Sequence, residues 1–369
     1  MVFRPYMATK RTITFNEPAA PWNEPVNGAD LLNQLYWLIG RYVILSHEAK
    51  IAISLWIIHT YAHDCARISP SLAIISPERG CGKTTLLSLL AKLVRRALSS
   101  SSITPAAIYR VIEKCQPTLL IDEGDTFLKD NDPLKGILNS GHARDTANKI
   151  LCVGDNHDPQ SFSTWTPKAF ASIREPWPTL MDRSIRIEMR RNLPNEEFQR
   201  LREIPEAMEL KQKMMRWVND NAQLLYGADP MMPDGIYGRS ADNWEPLFAI
   251  ADAAGGDWPN LARCAAQALK DNEPHEEDIG IQLLTDLQDI FIARRTDRLS
   301  TNDILGCLMA IDGSQWLESN NGRSITSRQL STFLKPYRIR PTTIRFGTDG
   351  AKGYYYEHCK DAFTRYLKK

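Results

Sequence analysis

The sequence predicts an α/β core built on a mostly parallel sheet, followed by a helical lid and a small C-terminal module of two helices and a basic hairpin. Three observations predict it. Residues 69–191 alternate short apolar runs with runs of helical period, the pattern of strands joined by crossover helices. From Asn195 to about Arg294 the apolar period is helical throughout. After Arg298, two capped helix starts precede a strand-rich run from Thr343 to His358.

Taken in order, residues 1–28 carry four prolines and little periodicity, and they read as an extended lead-in. Asp30 opens a helix with Leu31, Leu35, Leu38 and Ile39 on one side, and a second helix runs from His47 to about His63. Its stretch Ile51–Ala62 is apolar all round but too short to span a bilayer and carries His59, so it reads as a buried helix. Residues 1–66 thus form an arm and a helical cap. The core, 67–191, has strands near 71–75, 97–101, 117–122, 168–173 and 184–189 and helices near 83–96, 104–115 and 133–144. Two short runs flank the turn Gly154-Asp-Asn-His-Asp-Pro-Gln160 and predict an inserted β-hairpin carrying Lys149, His157 and Trp165. The separate all-α lid, 192–295, breaks at Gly227–Pro233 and Gly255–Pro259. In 296–369, Ser300 or Thr301 caps one helix and Ser324–Lys335 repeats the form. Thr343–Phe346, the turn Gly347–Gly353 and Tyr354–His358 follow. Two helices and a hairpin in this order describe a winged helix.

Composition excludes several classes. Hydrophobic content of 43% and charged content of 24% are those of a globular protein, and 369 residues suffice for two or three domains. Seven scattered cysteines without a Cys-x-x-Cys pair suggest neither a disulfide framework nor a zinc site, which fits a reducing cytoplasm. The basic N-terminus lacks the apolar region of a secretory signal. The net charge of +1 hides an asymmetry: Arg323–Lys369 holds eleven Lys/Arg against three acids. A basic module on a mildly acidic body points to a polyanionic partner.

The chemistry concentrates at two places. The first strand runs into Ser76-Pro-Glu-Arg-Gly-Cys-Gly-Lys-Thr-Thr85, and Leu86, Leu87, Leu89, Leu90 and Leu93 then recur at helical spacing. A turn at a helix N-terminus offers free N–H groups and the positive dipole end to an anion. Gly80, Cys81, Gly82 and Thr85 would supply the cradle, Lys83 would reach the terminal phosphates, and Thr84 would ligate Mg²⁺. The run Pro117-Thr-Leu-Leu-Ile-Asp-Glu123 then sets Asp122 and Glu123 at the end of a buried strand, 39 residues beyond Lys83. One carboxylate suits a metal shell and the other can polarise a water. ATP and Mg²⁺ are the predicted ligands. The loop departs from the six-residue glycine spacing at one point, where Pro77 stands.

With these residues in view, the chain resembles the additional-strand P-loop ATPases of the AAA+ type. More narrowly, Ser76–Thr85, Pro117–Asp125, Leu138–His142, Asp182–Ile185 and Arg239–Leu247 resemble a family carried by phages, plasmids and integrated elements, sometimes joined to primase modules. The likeness covers roughly residues 50–369, and Pro77 is usual in that family. The resemblance implies that Lys83 and Thr84 hold phosphates and Mg²⁺, Asp122 joins the metal shell, and Glu123 orients and activates the attacking water. It implies that Arg183 reaches a neighbour's ATP in a ring such as a hexamer, that Arg239 touches the γ-phosphate from the lid, and that Ser172 contacts the nucleotide. Blander roles stay open: an ion pair of Arg183 with Asp182, a solvated helix start at Arg239, and an exposed turn rather than a pore loop for Lys149, His157 and Trp165. Tyr354–Tyr356 suit either base stacking or the core.

Arg328, Arg338, Arg340, Arg345 and Lys352 are the candidate DNA contacts of the basic module, with Lys149 and His157 on the hairpin. One function is a ring-forming ATPase that translocates on single-stranded or forked DNA, a helicase of a mobile element's replication apparatus with a primase as partner. The alternative is an ATP-controlled DNA-bound switch (a loader, an initiator or a phage-defence ATPase) that never separates strands. A protein ligand for the C-terminal module is the third reading.

Overall fold

The computed structural model describes residues 13–100, 103–122, 132–153, 156–173, 175–193, 195–271, 279–311, 315–317, 324–346 and 349–367. Glu123 lies outside the described residues. The chain forms two compact units, Met1–Glu273 and Pro274–Lys369.

The first unit is organised by a five-stranded, all-parallel sheet. Its strands are β1 (Ser71–Ile75), β2 (Ala97–Ser100), β3 (Thr118–Ile121), then, beyond a hairpin of β4 (Asn148–Val153) and β5 (Asp158–Ser163), β6 (Lys168–Ser172) and β7 (Ser184–Glu188). The spatial order is β2-β3-β6-β1-β7. The late strand β6 therefore sits between β1 and β3, with Ala73 opposite Phe170 and Leu120 opposite Ala169. Both faces are covered, which is why β1, β3 and β6 read as continuous apolar runs rather than alternating ones. Leu72, Ile74, Leu120, Ala169, Ala171, Ile185 and Ile187 point to one core, and Ala73, Ile75, Leu119, Ile121 and Phe170 to the other.

The helices are α1 (Gly28–Tyr42), α2 (His47–Ala62), α3 (Lys83–Leu93), α4 (Pro105–Cys115), α5 (Asp132–Ser140), the one-turn α6 (Pro178–Met181), α7 (Ala207–Tyr226), α8 (Arg239–Ala254) and α9 (Trp258–Asp271). Helices α4 and α5 cover one face of the sheet together with Phe162 of the hairpin. The other face carries α3, α1, α2 and α7–α9 in a single apolar core. Helix α2 is buried on every side from Ile51 to Ala62, as its uniform hydrophobicity requires. Each such Leu, Ile or Trp side chain contributes about 1.5–3 kcal/mol of burial.

This arrangement corrects one expectation. The cap and the lid are not separate bodies, because α2 is too apolar to tolerate water on any face and α7–α9 supply part of its cover. Over 13–27 the lead-in is tied to the first unit: the buried Lys211 ammonium donates to Asn16 O at 2.7 Å and pairs with Glu17 at 3.1 Å, while Glu17 also accepts from the Arg96 N–H at 2.9 Å. Helix α1 starts at Asn27, whose side chain accepts from the Asp30 N–H, so Asp30 lies in the first turn rather than at the cap.

The second unit contains α10 (Ile279–Arg294), β8 (Arg298–Ser300), α11 (Thr301–Met309), α12 (Ser327–Leu334), β9 (Thr342–Phe346), β10 (Asp349–Tyr355) and α13 (Tyr356–Tyr366). The antiparallel sheet has the order β8-β10-β9. Capping boxes start α11 (Ser300 with Asp303) and α12 (Thr326 with Gln329). Helix α10, expected to end the lid, belongs here, since Leu283, Leu284, Leu287 and Phe291 share a core with Leu308, Leu330 and Phe363. The hairpin is tighter than expected. Ala351, Lys352 and Gly353, read as turn, pair with Ile344, Thr343 and Thr342. Tyr354 is buried, consistent with a core role. Among the described residues no helix is long and apolar enough to cross a membrane.

Candidate functional site

Strand β1 ends at Ile75, and the segment 76–82 turns back to start α3 at Lys83. Gly80 and Gly82 take φ of +82° and +87°, a left-handed backbone that side chains resist. Gly82 also lies where a Cβ would meet the Met189 methyl at 3.3 Å. Because α3 begins directly after this turn, its first N–H groups have no carbonyl behind them within the helix. The Lys83 ammonium folds back over the loop, donating to Ser76 Oγ at 2.5 Å and to Glu78 O at 3.3 Å. Ser76 Oγ in turn donates to Glu78 O at 2.7 Å. These contacts hold the cation over the mouth of the loop.

A cavity of about 590 Å³ opens here. Gly80, Cys81, Gly82, Lys83, Thr84 and Thr85 form its floor, Asp122 enters from the end of β3, and Ala171 and Ile173 come from β6 and just beyond it. Asp122 is placed by its own N–H, which donates to Ser100 O at 3.2 Å. The predicted loop residues and the first predicted carboxylate thus line one cavity. A hydroxyl and a carboxylate, Thr84 and Asp122, are hard oxygen donors suited to Mg²⁺, which keeps most of its shell for water and phosphate. Ser172 does not line the cavity; its neighbours Ala171 and Ile173 do, because alternate residues of a strand face opposite ways.

The far end of the cavity was not foreseen. Tyr42, Val43, Ile44 and Phe198 make an apolar wall, with Asn192 beside it. Tyr42 closes α1 and Phe198 belongs to the irregular segment before α7. The two are joined because the Gln199 N–H donates to Arg41 O at 2.8 Å and Arg41 pairs with Glu206 at 2.5 Å. Nothing in local periodicity marks residues some 150 positions apart as neighbours. Only the apolar character of Tyr42-Val43-Ile44 beyond a helix end was available as a signal.

Arg183 and Arg239 lie elsewhere. Strand β7 is parallel to β1 with Ser71 opposite Ser184, so Arg183 sits at the N-terminal edge of the sheet. The loop 76–82 is at the C-terminal edge, roughly 16 Å away along five strand residues. The Arg183 guanidinium donates to Thr179 O at 2.7 Å rather than pairing with Asp182. Arg239 opens α8, exposed, with Asp242 at 3.3 Å. One turn on, the buried Asn243 donates to Asp182 O at 3.0 Å and Ser184 O at 3.4 Å and meets His142 Nε2 at 2.8 Å. That clasp ties the start of α8 to the residues flanking Arg183, and Arg239 is not among the residues that line the cavity at Lys83. Burial lowers the His142 pKa to about 4, against the hydrogen bond to Asn243, with Lys168, Arg239 and Arg183 pushing it further down.

Behind this edge lies a buried basic cluster. The Lys168 ammonium donates to Gly141 O at 2.8 Å and Thr166 O at 3.3 Å, and burial lowers its pKa to about 7. Trp165, expected on the hairpin, instead stacks on His63 with ring centroids 4.3 Å apart. His59 is fully buried with neither ring nitrogen bonded, and burial lowers its pKa to about 3.

Within the hairpin, Lys149 pairs with Phe162 near the base, over the Tyr109 ring, while the exposed His157 adjoins the tip with φ of +55°. The two candidates are therefore at opposite ends of the ribbon. In the second unit, Arg328, Arg338, Arg340, Arg345 and Lys352 are all exposed. Arg345 and Lys352 share the outer face of the hairpin, because Lys352 lies opposite Thr343, two residues from Arg345 on β9.

Comparison with known proteins adds little chemistry. The profile of a family described as "Protein of unknown function (DUF3631)" matches residues 188–366. The "Uncharacterized 28.9 kDa protein in xis 5'region" of Saccharopolyspora erythraea is 36% identical over 163 residues. That match spans 42% of this chain and 59% of the relative. Among solved structures, "The A form apo structure of NrS-1 C terminal region-CTR" aligns over 92% of this chain and 79% of its own, with 16% identity and a TM-score of 0.43. A second structure of that region, residues 305–718, aligns at 15% identity and a TM-score of 0.37, over 91% of this chain and 76% of its own.

Proposed function

We propose that the chain binds ATP with Mg²⁺ in the cavity at Lys83 and hydrolyses it, as a ring-forming AAA+-type P-loop ATPase that moves on DNA. The observation that carries the reading is that Lys83, Thr84 and Asp122 line one cavity at the C-terminal edge of β1 and β3. The insertion of β6 between those strands supports it, since this is the strand order of additional-strand P-loop ATPases. Triphosphate would lie along the amides of Gly80–Thr85 with Lys83 on its terminal groups. The base would rest against Tyr42, Val43, Ile44 and Phe198. Thr84 and Asp122 would hold Mg²⁺, which would supply charge neutralisation on the phosphate oxygens.

Hydrolysis forms a bond from a water oxygen to the γ-phosphorus and breaks the bond to the β–γ bridging oxygen, ADP leaving with the electron pair. Glu123, adjacent in sequence to Asp122, is the proposed acceptor of the water's proton. Lys83 gives up its contacts with Ser76 and Glu78 to the phosphate, an exchange of neutral acceptors for an anionic one.

We read the order α10-β8-α11-α12-β9-β10-α13 of the second unit as a winged helix, and its five exposed cations suit phosphate contacts on DNA. The hairpin β4–β5, with His157 at its tip, is the proposed element that touches DNA within a ring. Titration of fluorescent ATP tests the nucleotide site: saturable, Mg²⁺-dependent binding is expected for the wild type, falling at least tenfold in Lys83→Ala. Equal binding by both would end the reading. A forked-duplex unwinding assay separates a motor from an ATP-controlled switch.

A further inference from the structure

Thr84 and Asp122 line a second cavity as well as the first. It has a volume of about 360 Å³ and runs between α3 and β2, on the other side of this pair from the nucleotide cavity. The amino-acid pattern of α3 is its cause. Leu86, Leu89, Leu90 and Leu93 are buried in the core, whereas Thr84, Ser88 and Lys92 recur every four residues and fall on one face of the helix. Strand β2 ends the sheet order, so α3 has no further strand beside it to cover that face. Ser99, opposite Leu120 of β3, and Ser100, opposite Ile121, complete the polar lining.

The groove has an acidic end and a basic end. Asp122 is the carboxylate that lines it, at the end shared with the nucleotide cavity. Lys92 stands eight residues beyond Thr84, about 12 Å along the helix axis, with Ser88 midway. Among the described residues the half-buried Lys92 makes no ion pair with a carboxylate. A lysine ammonium binds phosphate as a point charge, and serine hydroxyls add donors that rotate to suit the ligand. No aromatic side chain lines the groove among the described residues, so nothing there would stack on a base. This lining suits a small oxyanion.

We infer that the groove between α3 and β2 is the way out for the inorganic phosphate that hydrolysis produces, with Lys92 as its receiving cation. This rests on the ATPase reading proposed above. Cleavage leaves phosphate at the Lys83, Thr84 and Asp122 end of the nucleotide cavity, with ADP between it and the apolar wall of Tyr42 and Phe198. The groove begins at that same end. An anion beside Asp122 is repelled by the carboxylate and drawn towards the ammonium further along, so the charges of the groove favour outward movement. Without Lys92 the anion would cross a narrow, partly dry passage with no counter-charge, which is costly. Lys83 and Lys92 thus divide the work: the first holds the phosphate while its bond breaks, and the second takes it afterwards.

The test separates cleavage from release in a single turnover of the full-length protein with ATP and Mg²⁺. Rapid acid quench counts all cleaved phosphate, and a fluorescent phosphate sensor counts only what is free. In Lys92→Ala, cleavage should stay within about twofold of wild type while release slows by about tenfold, the least that losing one charge-assisted contact on the path should cost. Lys92→Arg, which keeps the cation, should release phosphate at the wild-type rate. A second readout needs no turnover: the ³¹P line of inorganic phosphate should broaden saturably on ADP-loaded wild type and much less on ADP-loaded Lys92→Ala. Release and line width both unchanged in Lys92→Ala overturn the inference. A parallel fall in cleavage and release overturns it too, because that assigns Lys92 to the chemistry or to the fold. The wild-type control keeps the two claims apart. If wild type cleaves no ATP, the ATPase reading has failed and the exit goes with it, whereas normal cleavage with release indifferent to Lys92 removes the exit alone.

Discussion

Asn243 concentrates the coupling between the sheet and α8, and its replacement by the similarly shaped Leu is the sharpest structural test. The substitution keeps the branching pattern but its methyl groups are bulkier than the amide, so no cavity is left and any steric cost adds to the loss. It removes the bond with His142 Nε2 at 2.8 Å and the bond to Asp182 O at 3.0 Å, while the 3.4 Å contact with Ser184 O is too long to count for much. His142 Nδ1 already has no partner, so its ring would be left wholly unpaired inside the protein. An orphaned buried polar group costs about 1–3 kcal/mol, and the lost amide–carbonyl bond adds about 0.5–1.5 kcal/mol. The expected loss is therefore about 2–4 kcal/mol, and it should be local. Urea unfolding gives the total, and hydrogen exchange gives its place: amides of Arg239–Glu245 and Ser184–Ile185 should exchange at least tenfold faster, while those of α2 keep their protection. A loss under 1 kcal/mol, or protection unchanged at the start of α8, would refute the claim that this clasp positions Arg183 and Arg239.

The buried basic cluster makes stability pH-dependent. His59 and His142 have folded pKa values near 3 and 4, below the unfolded 6.5, so the unfolded chain binds more protons as pH falls through 6.5 and stability drops, by up to about 1.4 kcal/mol per pH unit for each ring. Lys168 obeys the same sign at higher pH. Its folded value near 7 against 10.5 means that raising pH from 7 to 9 should stabilise the wild type by roughly 2 kcal/mol, and a Lys168→Met chain should lose that gradient in parallel urea titrations at the two pH values. In the second unit, replacing Arg338, Arg340 and Arg345 with Ala should weaken DNA binding uniformly across sequences and lower the salt slope by about one per phosphate contact removed; an unchanged slope would point to a protein ligand instead. Phe198→Ala should weaken fluorescent-ATP binding several-fold without altering its Mg²⁺ dependence; unchanged affinity would remove Phe198 from the base wall.

Much was legible along the chain because the relevant forces are local. The five core strands and their helices lie within a few residues of where the apolar runs predicted them, and a Gly-rich turn between strand and helix needs only its neighbours to form. The approach of Asp122 to Lys83 could be anticipated because an apolar run ending in carboxylates must end at a strand edge. What lay beyond reach were relations between distant segments. The apolar wall of Tyr42 and Phe198, the merging of cap and lid around α2, and the membership of α10 in the second unit all follow from which apolar faces meet, a choice settled by burial over the whole unit rather than by any window of sequence. The position of Arg239 is the plainest case. The chain alone placed an arginine at a helix start, whereas the edge of the sheet it occupies was decided by one buried asparagine finding its hydrogen-bond partners 59, 61 and 101 residues away.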